Sequence, residues 1–145
     1  MADPETERSR QALLVAGAAL FLIGLLQGAV LQVFDNPRMA LSAHLTAVQS
    51  GMAVMLAGLA WRFVSLRPPL GRVAQWSVIG GMYGLWLGLT LSAATGASMV
   101  LPIAGSGFAA AMPVELGVAA LIYVSSGAIV VGWALLLAGL ARQAA

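Results

Sequence analysis

Cysteine and lysine are absent from this chain, and histidine occurs once, as His44. Without cysteine, no disulfide, thiolate metal site or cysteine nucleophile is available. Charge is also scarce, because 8% of the residues are charged, whereas a soluble domain carries about 25%. Seven arginines and five carboxylates cannot cover a water-facing surface. The composition therefore predicts an integral membrane protein surrounded by membrane lipid, and it excludes nucleic acid as a partner.

Four long apolar segments fill most of the chain. They run over about 11–34, 37–66, 73–101 and 114–141. Each is longer than the roughly 20 residues that a helix needs to cross about 30 Å of hydrocarbon. The sequence thus predicts an all-α integral membrane protein, a single domain over 1–145 built as a four-transmembrane-helix bundle, with 102–113 as its outer loop. The first segment is expected to remain in the protein, because it is too long for a signal peptide and acidic residues precede it.

Arginine placement predicts the orientation of the bundle. Six of the seven arginines lie on one side of the four predicted spans, and only Arg38 lies on the other. The six are Arg8, Arg10, Arg62, Arg67, Arg72 and Arg142. Because positive residues favour the cytoplasmic side, we expect both termini in the cytoplasm and the protein in a bacterial-type inner membrane.

The one histidine lies inside the second span. Asn36 and Pro37 are typical of a helix start, and His44 follows about 12 Å further along the helix at a rise of 1.5 Å per residue. An ionisable group at that depth is costly and indicates a function. Two interpretations stay open on the residues alone. The imidazole either bonds to a serine or carbonyl of a neighbouring helix, or it binds a haem iron.

Small residues accompany His44 on its helix face. At about 100° per residue, that face also carries Ala47, Val48, Gly51, Met55 and Gly58. The pattern predicts an open, apolar slot beside the imidazole. Further glycines lie along the first span at Gly17, Gly24 and Gly28, and along the third at Gly80, Gly84 and Gly88. These glycine faces favour close helix packing in lipid, although a face that admits substrate or cofactor remains the alternative.

Several stretches of the chain resemble one family. They are the run Asn36-Pro37-Arg38-Met39-Ala40-Leu41-Ser42-Ala43-His44-Leu45, the pairs Gly51-Met52 and Tyr83-Gly84, the run Met99-Val100-Leu101-Pro102-Ile103-Ala104-Gly105, and Glu115. Together they resemble the hydroxylaminobenzene mutase family of small membrane proteins with four spans. More distantly, the helix that carries His44 is similar to that of styrene oxide isomerase.

The resemblance implies an intramolecular isomerase or mutase that acts on a small hydrophobic aromatic substrate. It would convert an aryl epoxide to an aldehyde, or an arylhydroxylamine to an aminophenol, and neither reaction needs an electron donor. The similarity to styrene oxide isomerase further implies haem b, with His44 as the axial ligand and ferric iron as a Lewis acid. It also implies a homo-oligomer, which is a trimer by analogy.

Roles for other residues follow from this resemblance. The expected cofactor contacts besides His44 are Arg38, Ala47, Val48, Gly51 and Met55. The expected substrate pocket contains Trp86 and Gly88, and the expected catalytic residues are Tyr83 and Ser50.

Each of these residues also has an ordinary structural interpretation. Tyr83 could be an interfacial anchor, Trp86 could pack in the core, and Arg38 could pair with Asp35 instead of a haem propionate. Glu115 fits the first turn of the fourth helix, where the helix dipole favours a carboxylate.

The chain departs from the family pattern at three places. Thr46 stands where an acidic residue is usual, Ser50 stands where asparagine is usual, and no asparagine lies near Gly88. The missing polar groups favour a first alternative, a haem-binding membrane protein that is not catalytic. A second alternative is a structural four-helix membrane protein without a cofactor, in which His44 only bridges two helices.

Overall fold

The computed structural model describes residues 4–144, and these residues form four long helices. They are α1 (Pro4–Gly28), α2 (Pro37–Ala60), α3 (Pro68–Thr95) and α4 (Met112–Ala144). Short 3₁₀ turns follow α1 at Leu31–Val33 and α2 at Trp61–Phe63. All four helices are long and apolar enough to cross a membrane. The predicted all-helical fold, with four helices of membrane-spanning length and composition, is therefore confirmed.

The helix ends follow from local residue chemistry. The Asn36 side chain accepts the Met39 N–H at 3.1 Å, and Pro37 occupies the first turn of α2. Arg67, extended before Pro68, precedes α3 in the conformation that proline imposes on its neighbour. Gly96 ends α3 with a φ of 76°, a left-handed conformation that suits glycine.

Several observed bounds differ from those expected. α1 runs over Pro4–Gly28 where 11–34 was expected, because the 3₁₀ turn breaks the helix after Gly28. α2 stops at Ala60 instead of 66, because a second 3₁₀ turn precedes the extended residues 64–67. α3 begins at Pro68 instead of 73 and ends at Thr95 instead of 101, and α4 covers Met112–Ala144 instead of 114–141. The outer connection is consequently 96–111 and not 102–113.

Consecutive helices pack through glycine. A Cβ atom on Gly17 would lie 2.7 Å from the Gly51 carbonyl oxygen, so α1 and α2 are in backbone contact. A Cβ on Gly81 would lie 2.7 Å from Ile129 Cγ1, and one on Gly88 would lie 2.7 Å from Ile122 Cγ1, so α3 is equally close to α4. Of the glycine face expected on α3, Gly84 and Gly88 therefore pack against α4, as small residues commonly do in membranes. Gly80 has no atom within 4 Å of a Cβ, and Gly81 takes its place in the contact.

Two apolar clusters fill the bundle. One includes Leu13 and Leu20 of α1, Val54 of α2 and Val78 of α3. The other lies beneath the outer connection and includes Met39, Ala43, Leu89, Ala93 and Ile122. Many large apolar side chains instead face outward, such as Leu26 at 63% exposure and Leu137 at 68%. This exposure of apolar side chains fits a protein surrounded by lipid, because apolar side chains are as well solvated by hydrocarbon tails as by the protein interior.

Candidate functional site

His44 contacts α1 through a specific hydrogen bond. Its Nδ1 atom lies 2.7 Å from the carbonyl oxygen of Gly24. A carbonyl oxygen only accepts, so Nδ1 carries the proton in the neutral ring and Nε2 keeps its lone pair. The imidazole is half-buried. With Nδ1 bonded to α1, Nε2 is the ring nitrogen that could bind a metal.

The backbone of Gly28 lies directly beside the imidazole. A Cβ atom there would be 2.7 Å from His44 Cε1, 2.9 Å from Nδ1 and 3.3 Å from Nε2. Any side chain larger than hydrogen would collide with the ring. Gly24 supplies the acceptor and Gly28 supplies the space, so one turn of α1 determines where the ring can lie.

The open slot expected beside His44 is not present within a single subunit, and α1 fills it. Ala47 and Gly51 are buried, because Ala47 packs against Gly24 and Gly51 packs against the Phe21 backbone. Val48 and Met55 are half-buried at the same α1–α2 contact. Sequence periodicity identified the small-residue face, but it could not tell which helix covers that face.

Tyr83 and Trp86 also reach α1, from the side of α3. The Tyr83 hydroxyl donates to the Ala16 carbonyl oxygen at 2.8 Å. The Trp86 indole Nε1 donates to Gln27 Oε1 at 2.8 Å. The two aromatic rings meet edge to face at 88°, with centroids 6.4 Å apart. His44, Tyr83 and Trp86 therefore share α1 as their partner.

Gln27 is a polar residue of this region that the sequence interpretation missed. Its side chain is 7% exposed, accepts from Trp86, and donates from Nε2 to Thr90 Oγ1 at 3.1 Å. Thr90 Oγ1 in turn donates to the Trp86 carbonyl oxygen at 2.9 Å. A glutamine inside an apolar span was the available signal, since a buried amide is costly unless it is hydrogen-bonded.

The other expected site residues lie in different environments. Ser50 is buried at 6% exposure, and Gly88 lies against Ile122 of α4. Arg38 is exposed, and its Nη1 lies 3.5 Å from the Ile103 carbonyl oxygen of the outer connection.

The outer connection is held from two sides. The Glu115 carboxylate accepts the backbone N–H groups of Ser98, Met99 and Ala110 at 2.9 to 3.1 Å. From α2, Asn36 Nδ2 donates to the Ala104 carbonyl oxygen at 3.1 Å. Glu115 does lie in the first turn of α4, but its carboxylate is occupied by the loop. The Asn36 amide thus both starts α2 and holds the connection above it.

A resident metal would depend on one protein ligand. Within residues 4–144, no three or more histidine, cysteine, aspartate or glutamate side chains come together. Haem iron needs only one imidazole from the protein, and His44 has the fitting tautomer. His44, partly buried between α1 and α2, is therefore the residue that could hold a haem iron.

Comparison with known proteins identifies the relatives. The sequence pattern of the styrene oxide isomerase family matches residues 9–141. Over 93 residues the chain is 39% identical to hydroxylaminobenzene mutase HabA of Ectopseudomonas oleovorans, which covers 63% of this chain and 69% of that protein. Over 96 residues it is 41% identical to HabB of the same organism, which covers 66% of this chain and 58% of that mutase.

No solved structure matches the chain significantly. The family pattern nevertheless extends over all four helices, from Ser9 in α1 to Ala141 in α4. The resemblance inferred from the sequence is thereby confirmed, and the chain belongs to the styrene oxide isomerase family.

Proposed function

We propose that the protein is a membrane-embedded, haem-dependent isomerase that rearranges a small aromatic substrate. Its relatives, an isomerase family and two mutases, support this reaction class. The observation that carries the haem part is the hydrogen bond from His44 Nδ1 to the Gly24 carbonyl. Metal-bound histidines commonly donate their other ring N–H in this way.

The proposed substrate is an aryl epoxide or an arylhydroxylamine. With the epoxide, one C–O bond breaks, hydrogen moves with its electron pair to the carbon that lost oxygen, and a carbonyl forms. With the hydroxylamine, the N–O bond breaks, a C–O bond forms on the ring, and a ring proton is exchanged for one on nitrogen. Both conversions keep the molecular formula, so no external oxidant or reductant is required.

Haem b is the proposed cofactor. When bound, ferric haem supplies a Lewis acid for the substrate oxygen. His44 would hold the iron through Nε2, and the half-buried Val48 and Met55 would offer apolar surface on the same helix. Ala47 and Gly51, buried beneath α1, act by allowing α1 to approach His44 closely. Arg38, exposed at the outer end of α2, has the charge that suits a propionate.

Tyr83, Trp86 and Ser50 are the proposed substrate-handling residues. The proposed role of the Tyr83 hydroxyl is to exchange its bond to the Ala16 carbonyl for one to the substrate, where it would hold a proton. Ala16 precedes Gly24 by eight residues, about 12 Å of helix, so this role requires a substrate that reaches along α1 from His44 toward Tyr83. Trp86, edge to face with Tyr83, offers an aromatic surface for the substrate ring. Ser50 is a buried hydroxyl that can add one hydrogen bond. Gly88 contributes by letting α3 lie against Ile122.

A second subunit is proposed to complete the haem pocket. α1 closes the small-residue face of α2, while His44 stays only partly buried. A homotrimer, by analogy with the relatives, would cover the exposed part of the ring. We further propose an inner-membrane location with both termini in the cytoplasm, because six of the seven arginines lie on that side.

An optical spectrum of the purified, detergent-solubilised protein tests the proposal. After expression with ample haem, a Soret band is expected in the wild-type protein and not in His44→Ala. Conversion of an aryl epoxide or an arylhydroxylamine without added reductant is expected as well. Protein that is folded, supplied with haem and yet colourless would refute the haem-dependent mechanism.

Two specific observations favour other functions. The Tyr83 hydroxyl is already bonded to Ala16, and Thr46 and Ser50 replace more capable polar groups. A haem-binding protein without catalysis would therefore show the Soret band but no turnover. The His44–Gly24 bond is also what a purely structural histidine would make. In that case the protein has no chromophore, and His44→Ala only lowers its thermal stability.

A further inference from the structure

We propose that residues 24–28 of α1 form a positioning segment for His44, and that Gln27 anchors this segment to α3. The segment selects the Nδ1–H tautomer and fixes the plane of the ring. The inference deepens the proposed function, because it concerns how the histidine is prepared for iron. It differs from ligation itself, since every residue named in the segment lies on another helix.

The first part of the argument is the double contact between one turn of α1 and the imidazole. Gly24 accepts the Nδ1 proton at 2.7 Å, and Gly28 leaves room that a Cβ would fill at 2.7 Å from Cε1. Residues four apart share one helix face. The Gly24 carbonyl and the space left by Gly28 therefore move together, and their positions depend on how α1 is rotated about its axis.

The second part is the anchor that prevents this rotation. Gln27 lies between the two glycines in sequence, and at about 100° per residue its side chain leaves α1 about 60° to 100° away from them. It accepts from Trp86 Nε1 at 2.8 Å and donates to Thr90 Oγ1 at 3.1 Å, so α3 holds it at both ends of the amide. With the amide fixed, Gly24 and Gly28 keep their orientation toward α2.

Two other polar contacts join α3 to α1, and both lie nearer the start of α1 than Gln27 does. One is the bond from Arg72 Nε to Glu5 Oε1 at 3.1 Å, and the other involves Ala16. Tyr83 donates to the Ala16 carbonyl, eleven residues before Gln27, which corresponds to about 16 Å of helix. That bond restrains the middle of α1 but is too distant to fix the turn beside His44. Among the side-chain hydrogen bonds between α1 and α3, those of Gln27 are therefore the ones that act on the positioning segment, and we assign Gln27 as a positioning residue.

The single histidine makes a direct test possible. In protein labelled with ¹⁵N-histidine, all imidazole signals come from His44, and ¹⁵N shifts distinguish the Nδ1–H from the Nε2–H tautomer. Haem-free wild-type protein is expected to show Nδ1–H. Gly28→Ala and Gln27→Met are expected to shift the signals toward a mixture of tautomers. Gly80→Ala and Gln49→Met serve as controls and should leave them unchanged, because Gly80 has no atom within 4 Å of a Cβ and Gln49 is exposed.

Haem titration gives the second readout. Loss of a hydrogen-bonding partner behind a metal-bound histidine typically weakens metal binding about 10- to 100-fold. Gln27→Met and Gly28→Ala are expected in this range, and the two controls are expected to bind haem as the wild type does. If either variant fails to fold, Thr90→Val removes one hydrogen bond from Gln27 with little change in shape, and it should produce a smaller shift in the same direction.

The outcomes separate this proposal from the proposed function. If the wild type binds no haem but Gln27→Met still changes the His44 tautomer, the haem function fails and the positioning role stands. If the wild type binds haem while Thr90→Val and folded Gln27→Met leave both readouts unchanged, the positioning role is overturned. An Nε2–H tautomer in the haem-free wild type would overturn it as well.

Discussion

The carboxylate of Glu115 accepts the backbone N–H of Met99 at 2.9 Å, and so ties the first turn of α4 to the connection that leaves α3. The same carboxylate accepts from Ser98 and Ala110. Residues 96–114 contain no charge of their own, and the Glu115 carboxylate is occupied by backbone donors from this stretch. The connection also makes hydrogen bonds of its own, such as Gly105 N–H to the Leu101 carbonyl at 2.8 Å and Ser98 Oγ to the Phe108 carbonyl at 2.9 Å. Glu115 adds the link from these turns to α4.

Replacing Glu115 should loosen the outer connection. Glu115→Ala leaves three backbone N–H groups without their acceptor, so we expect faster amide hydrogen exchange at Ser98, Met99 and Ala110 and a lower Tm in detergent. Glu115→Gln keeps an oxygen acceptor and should fall between the wild type and the alanine variant. Unchanged exchange in Glu115→Ala would show that the loop holds itself.

Asn36 should prove to have two separable functions. Asn36→Ala loses both the helix cap and the bond to Ala104, and caps of this type contribute about 0.5 to 2 kcal/mol. Asn36→Ser keeps an oxygen for the Met39 N–H but loses the Nδ2 donor to Ala104, and it places no charge at this buried position. We expect it to retain α2 stability while exchange at the outer connection rises. Equal losses in both variants would mean that the cap and the loop contact cannot be separated.

Close glycine packing between α3 and α4 predicts a clear steric effect. A Cβ on Gly81 would meet the backbone nitrogen of Ile129 at 2.9 Å as well as its side chain. Overpacking of this kind costs about 1 to 3 kcal/mol, so Gly81→Ala should lower the unfolding free energy measured in mixed micelles. Gly117→Ala is the matched control, since no atom lies within 4 Å of its Cβ. Similar losses in the two variants would contradict the packing explanation.

Tyr83 should affect turnover without affecting cofactor binding. If its hydroxyl holds a proton at the substrate oxygen, Tyr83→Phe should lower kcat by about 10² to 10⁴, as expected for loss of an acid–base group. The haem spectrum should persist, because His44 is bonded to Gly24 and not to Tyr83. Tyr123→Phe is the control, since Tyr123 is 66% exposed on α4. Full activity in Tyr83→Phe would show that the hydroxyl has only a structural role, through its hydrogen bond to Ala16.

The sequence was informative where the physical signal is local. Apolar length predicted the four helices, and Asn36-Pro37 predicted the start of α2, because capping depends only on neighbouring residues. Helix ends at Ala60 and Thr95 were less predictable, since apolar composition continues beyond both positions. In a membrane protein, hydropathy does not change where a helix turns into a 3₁₀ segment or an apolar loop.

The site was predictable one helix at a time, but not across helices. Periodicity placed small residues beside His44, yet it could not show that Gly24 and Gly28 of α1 meet the imidazole. The hydrogen-bond partners of Gln27 and Glu115 could not be predicted either. A polar residue in an apolar segment indicates that it needs a hydrogen-bond partner, but the sequence does not say which residue that is. Pairing between distant segments is a property of the assembled bundle.

The glycine contacts divide the bundle into two helical hairpins. α1 contacts α2 at Gly17 and Gly51, and α3 contacts α4 at Gly81 and Gly88. These close helix–helix contacts are therefore made within each hairpin. Residues 61–67 are the link between them. Each hairpin can thus assemble as its two spans enter the bilayer, before the halves dock. A chain interrupted within that link should then reassemble from two co-expressed fragments, with His44 and its α1 partner intact in the first.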